Sequence, residues 1–192
     1  MAIDREPVDI DQTELDEAAP PTAAHDAASV PVVDLPVPPP AGWSDLATGV
    51  DGPRYWDRIL LSEQARVRRY KRAATVVLVE VTGLARLARL WGNDVAERTL
   101  GNAARTLAKE IRTSDHIARV EPARFAILLT ETTEIAAINF VERARAACET
   151  DLRLASDFVG IGFGWASPPK GSDLTDAVRI AQHRLTAELE EL

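Results

Sequence analysis

The densest concentration of reactive charge in the chain is Arg66-Val-Arg-Arg-Tyr-Lys-Arg72, with five bases in seven residues. Such a run suits the phosphates of a polynucleotide. It closes a stretch of helical periodicity, however, and cations at a helix C-terminus are favoured by the dipole without any ligand. His25, His116 and His183 are scattered and lack ligand spacing, and Cys148 has neither a Cys nor a His neighbour in sequence. Structural zinc and an internal disulfide are thereby excluded. Gly160, Gly162 and Gly164 alternate along a strand-like run instead of opening a helix, which fits a closely packed strand and not a dinucleotide loop.

The elements that must position any site are legible from periodicity. Residues 1–40 carry nine acids against one base, eight of the twelve prolines and no aromatic residue. Such a segment cannot bury enough apolar surface to offset its ordering entropy. Residues 1–42 are read as a disordered, acidic, Pro-rich tail, and 43–192 as one folded domain. The tail accounts for the whole net charge of −8, so the folding part is neutral and lacks the basic face that nucleic-acid capture needs. The N-terminus has no positive n-region and no apolar h-region, which predicts a cytoplasmic chain with no membrane span.

Trp56, Leu60, Glu63, Val67 and Tyr70 recur at helical spacing over 53–71. Thr75–Val81 is β-branched and apolar on both faces, hence a central strand. Leu84, Leu87 and Trp91 mark a short helix ending at Gly92, and Asp94 is placed to cap a helix burying Val95, Leu100, Ala103, Leu107 and Ile111. His116–Val120 and Phe125–Thr130 form a hairpin with Glu121-Pro-Ala-Arg124 at its tip. Thr132 or Thr133 caps a helix that turns Ile135, Ile138, Val141 and Cys148 inward. The strand Phe158–Trp165 precedes a last helix started by Ser172 or Asp173, with Leu174, Val178, Ala181 and Leu185 on its buried face. The order α-β-α-α-β-β-α-β-α predicts an α/β (α+β) domain with a mainly antiparallel central sheet flanked by helices.

This arrangement resembles the GGDEF domain, the nucleotidyl cyclase-like fold of bacterial diguanylate cyclases, over roughly residues 44–190. Asp45-Leu-Ala-Thr48-Gly49-Val50 stands where the family has Asp-x-Leu-Thr-Gly-Leu, and Trp91-Gly92-Asn93 where it has Tyr-Gly-His. Arg119 matches the Arg before the hairpin tip, Phe125 the closing Phe, and Gly164 the Gly of a Ser-x-Gly strand. Family members join two GTP molecules into cyclic di-GMP with carboxylate-held divalent metal. The resemblance puts the metal-binding Asp at Glu80, and the Gly-Gly-Asp-Glu tip at Glu121-Pro122-Ala123-Arg124. Pro122 fixes φ and removes an N–H, Ala123 offers no ligand, and Arg124 places a permanent cation where metal would sit. The guanine-reading Asn corresponds to Ala88 and a second guanine contact to Glu97. The Ala-Asp pair of the last helix reads Ala181-Gln182, and a phosphate-facing Lys falls near Leu189.

The resemblance therefore implies a degenerate, inactive cyclase. Its remnant active site comprises Glu80, Glu97, Glu121 and Arg124, with no catalytic residue, no metal ligand set, and magnesium only if that remnant were active. It also implies an Arg-x-x-Asp nucleotide site, Arg112-Thr-Ser-Asp115, with Arg119 as a further contact. There a guanidinium can fork onto phosphate or guanine acceptors and a carboxylate can take guanine N–H donors. The alternative is that Arg112 ends a helix and Asp115 caps the turn into the next strand without any ligand. The expected function is a signalling module that receives cyclic di-GMP. A nucleotide-independent protein-interaction domain is the second expectation and a residual cyclase the third. A protein partner or a second copy of the chain is anticipated, and nucleic acid and membrane are not.

Overall fold

The computed structural model describes residues 37–191. Expectations for the acidic tail fall, over residues 1–36, outside the described residues. Val37 is already buried in the core, so the packed body takes in residues that composition alone assigned to the tail.

The elements follow the expected order: α1 (Pro53–Tyr70), β1 (Ala74–Thr82), α2 (Leu84–Trp91), α3 (Asn93–Glu110), β2 (His116–Glu121), β3 (Arg124–Thr130), α4 (Glu134–Arg153), β4 (Gly160–Ala166) and α5 (Leu174–Glu191). The sheet runs β2-β3-β1-β4 with every neighbour antiparallel. β1 is central, and its alternating side chains feed two cores, one on each face. Val77, Val79 and Val81 join Leu87, Leu100, Phe125, Phe140 and Phe163 under α2, α3 and α4. Val76 and Leu78 join Trp56, Leu128, Ala177 and Leu185 under α1 and α5.

Local chemistry accounts for the boundaries. Pro53 opens α1 where its missing N–H costs nothing, and α1 ends on Lys71 in the left-handed region at φ 55°. Thr133 caps α4 by accepting from Ala136 N–H, and Asp173 Oδ1 accepts from the N–H groups of Thr175 and Asp176 at the start of α5. α5 lies close on β4 because β4 is glycine-rich. A Cβ at Gly164 would come within 2.1 Å of Ala181 O, and one at Gly162 within 2.5 Å of Leu189. The alternating glycines thus make room for a helix.

Some side-chain expectations are corrected. Ile135 and Ile138 face outward, and α4 buries Ala137, Phe140, Val141, Ala144, Cys148 and Leu152 instead. Val141 and Cys148 are inward as expected, and the small alanines let the helix approach the sheet on a face that leaves Ile135 and Ile138 out. Asp94 does not cap α3, which starts at Asn93 from Gly92 at φ 91°. Tyr70 and Trp91 are exposed, the latter stacked on Phe158 with ring centroids 5.8 Å apart.

The two sheet edges are finished differently. On the β2 side Asp51 bridges to Ala118, and its carbonyl accepts from Arg119 N–H at 2.8 Å. On the β4 side the outward backbone groups are met by side chains. Glu188 accepts from Phe163 N–H, Glu134 accepts from Ser167 N–H, and Arg184 donates to the Trp165 carbonyl. These side chains are themselves held in the ion pairs Arg145–Glu188 and Arg184–Glu134.

Candidate functional site

The hairpin tip brings Glu80, Glu121 and Arg124 together. Glu80 and Arg124 are direct cross-strand partners at the end of β1 and the start of β3, so their side chains meet on one face. Arg124 donates to Glu80 Oε2 through Nε at 2.9 Å and also through Nη2. Its Nη1 donates to Glu121 Oε1 at 2.8 Å and to Gln182 Oε1 at 2.9 Å. Gln182 reaches the tip from α5, which the β4 glycines allow to lie near enough. Pro122 turns the chain, and Ala123 is buried in the core with its carbonyl accepting from Val81 N–H at 3.0 Å.

A guanidinium is therefore clamped at the hairpin tip, where the resemblance led to the expectation of a cation-binding carboxylate. Its positive charge is opposed by two carboxylates, and a divalent cation would have to displace it from Glu80. Among the described residues no group of three or more His, Cys, Asp or Glu side chains is placed to hold a metal ion. Glu97 is not part of this cluster. It lines a separate cavity of about 590 Å³ on the outer side of α3, with Ala47, Arg98 and Arg105.

Arg119 is not available to a ligand, which corrects the expectation that it contacts nucleotide. Its side chain is only 1% exposed. Nη1 donates to both oxygens of Asp45 at 3.1 and 3.2 Å, Nη2 to the carbonyls of Pro38 and Pro122 at 2.7 and 2.8 Å, and Nε to Pro122 at 3.3 Å. Asp45 also accepts from Thr48 through both its N–H and its hydroxyl. The Asp45-to-Val50 turn and the hairpin are thus locked together by one buried ion pair. Sequence reasoning named both segments but missed their contact. The usable signal was a lone arginine in the apolar strand Ile117-Ala-Arg-Val120, which requires a buried acid.

Arg112 and Asp115 are brought together at the α3–β2 turn, chiefly through backbone. Asp115 Oδ2 accepts from Arg112 N–H at 3.0 Å, and Oδ1 from Thr130 N–H at 3.0 Å. This is the capping role that stood as the alternative at this turn. The Arg112 side chain is exposed, and both residues line a cavity of about 320 Å³ with Arg143 and Glu131. Arg143, which sequence reasoning did not single out, is paired with Glu110 at 3.2 Å.

A polar trio supports the hairpin from outside. Tyr55 hydroxyl and His116 Nδ1 are 3.0 Å apart. Burial pushes the nearby Asp51 carboxyl up, with the His116 charge pulling it partly back. Burial and then the Asp51 charge push the Tyr55 hydroxyl up. The buried Cys148 thiol is pushed up to about 12, first by burial and then by Asp151 and Glu110, which removes it from thiolate chemistry.

Residues 43–191 match the family described as diguanylate cyclase, GGDEF domain. The probable diguanylate cyclase DgcC of Escherichia coli K12 is 31% identical over 110 residues, covering 57% of this chain and 29% of the relative. The diguanylate cyclase DosC of the same strain is 26% identical over 113 residues, covering 58% and 25%. The chain thus spans less than a third of these relatives' length. Among solved structures, the fold resembles the diguanylate cyclase SiaD of Pseudomonas aeruginosa, crystallised with its activator SiaC. The TM-score is 0.71 at 24% identity, covering 79% of this chain and 59% of that one. It also resembles the coiled coil and GGDEF domain of DgcB from Caulobacter crescentus in complex with c-di-GMP. There the TM-score is 0.70 at 15% identity, covering 77% and 81%.

Proposed function

The chain belongs to the GGDEF diguanylate cyclase family, and from that premise we propose that it is a signalling module that does not condense GTP. One observation carries this reading: Arg124, clamped between Glu80 and Glu121, occupies the ground a catalytic cation would need. The family's reaction depends on carboxylate-held metal that neutralises developing charge on phosphate. The donor set here does not suit that metal. Glu80 is neutralised by a neighbour that cannot lose its proton, and Ala123 contributes no oxygen. Magnesium or manganese has no role in this reading.

What such a module senses is a matter of its surfaces. The exposed Arg112, beside a carboxylate and a cavity that also presents Arg143, favours receipt of cyclic di-GMP through Arg112 and Asp115, without Arg119. The guanidinium would face phosphate or the guanine acceptors, and Asp115 has lone pairs left after its backbone bonds. A nucleotide-independent interaction with a protein partner is the second reading. It is favoured by the internal use that Asp115 already has in capping the turn.

Two measurements test these statements. Incubation with GTP and magnesium or manganese, followed by product chromatography, is expected to show no cyclic dinucleotide; any such product overturns the non-cyclase reading. Titration calorimetry with cyclic di-GMP is expected to give heat with the wild type and none with Arg112→Ala. Absence of heat in both removes the receptor and leaves the protein-interaction reading.

A further inference from the structure

The basic run at the end of α1 is not absorbed by either site. It borders a groove of about 510 Å³ between the C-terminal end of α1, the start of α4 and the β4–α5 connection. The apolar walls come from Val67, Ala73, Pro168 and Pro169, and the cationic rim from Arg68, Lys71 and Arg72. Arg72 is engaged by Glu131, and Arg68 lies 3.9 Å from Asp173, a long and exposed pairing. Lys71 has no carboxylate within ion-pair distance among the described residues, and neither has the exposed Lys170 between Pro169 and Gly171. The acid lining the groove, Glu134, is already bound to Ser167 N–H and Arg184. The groove thus has apolar walls beside the hydroxyls of Thr133, Ser167 and Ser172, and of its rim cations Lys71 is the one no carboxylate engages among the described residues.

Lys71 also holds a left-handed backbone at φ 55°, a conformation that glycine takes with less strain. From these features we propose that the groove docks an acidic peptide segment of a partner protein, with an apolar side chain seated between Val67 and the two prolines and carboxylates paired with Lys71, Arg68 and Lys170. Charge complementarity selects the acidic sequence. The apolar walls select a peptide over a free phosphate, which would leave them uncovered.

The test is fluorescence polarisation on the full chain with a short labelled peptide of alternating Glu and Leu. Controls carry Gln in place of Glu, Ser in place of Leu, or are a labelled single-stranded oligonucleotide. Saturable, salt-weakened binding of the Glu/Leu peptide alone is expected. Lys71→Gly should weaken it about fivefold or more while melting no lower than wild type, because glycine relaxes the left-handed residue. Arg68→Ala should weaken it likewise. The inference is overturned by no binding, by equal binding of the Gln or Ser peptide, or by unchanged affinity in Lys71→Gly combined with Arg68→Ala. Tighter binding of the oligonucleotide, or displacement of the peptide by cyclic di-GMP, also overturns it.

Discussion

Arg119 and Arg124 stand on the same hairpin, yet their surroundings are opposite. Arg119 is sealed in the interior, shared between one carboxylate and two backbone carbonyls. Arg124 lies at the rim with its side chain 16% exposed, shared between two carboxylates and an amide. The first arginine holds the turn at Asp45 against the sheet and is part of how the domain is built. The second ties the hairpin tip to β1 and α5. In a single hairpin, one arginine serves the architecture and the other sets the electrostatics of the tip.

The strongest way to break that comparison is to remove Arg119. Arg119→Ala strands a buried Asp45 and the Pro38 and Pro122 carbonyls, and should cost about 3–5 kcal/mol in chemical denaturation. A loss below about 1 kcal/mol would mean the buried pair is not structural. Next is the α3–β2 turn. Asp115→Ala leaves the N–H groups of Arg112 and Thr130 unpaired and should cost about 2 kcal/mol, whereas Arg112→Ala should stay within about 0.5 kcal/mol. Equal losses would contradict a turn held by the Asp115 carboxylate and not by the Arg112 side chain.

Arg124 should be cheaper to replace. Arg124→Glu crowds a third carboxylate beside Glu80 and Glu121 and should cost about 1–2 kcal/mol without unfolding the chain. Manganese should then raise the melting temperature of this variant while leaving the wild type unmoved. A wild type that manganese stabilises would erase the contrast between the two arginines.

The smallest effects concern pH. Burial alone would raise the Glu134 carboxyl, but the Ser167 N–H bond and Arg184 outweigh it and hold it below its ordinary 4.5. Its contribution is present above the unfolded value and lost as pH falls through the lower folded value. Asp51 is the reverse. Its folded value is raised above 3.8, so its contribution is complete at low pH and lost as pH rises through the folded value. Between neutral pH and about pH 3, Glu134→Gln should flatten the acid loss of stability and Asp51→Asn should steepen it. Parallel curves for both variants would refute the assignment.

The order of elements was legible because the helices carry a helical period and β1 is a short β-branched run apolar on both faces. The hairpin and the position of its tip were legible too, from two apolar runs on either side of Glu121-Pro-Ala-Arg124. What could not be read was long-range pairing. Arg119 looked like a ligand contact because its partner Asp45 lies far upstream, and no local pattern joins them. Gln182 was noted only as a replacement in the last helix, and its bond to Arg124 depends on how closely α5 settles on Gly162 and Gly164. The outward Ile135 and Ile138 were misassigned because residue size was weighed above how near α4 comes to the sheet.

The outer border of β4 has a consequence for assembly. Glu134, Arg184 and Glu188 answer hydrogen-bonding demands that a neighbouring chain would otherwise meet. Growth of the sheet from that border must therefore first uproot two charged couples, Arg145–Glu188 and Arg184–Glu134. This flank therefore refuses fibril-like stacking, and that refusal weakens where concentrated salt loosens the ionic bolts.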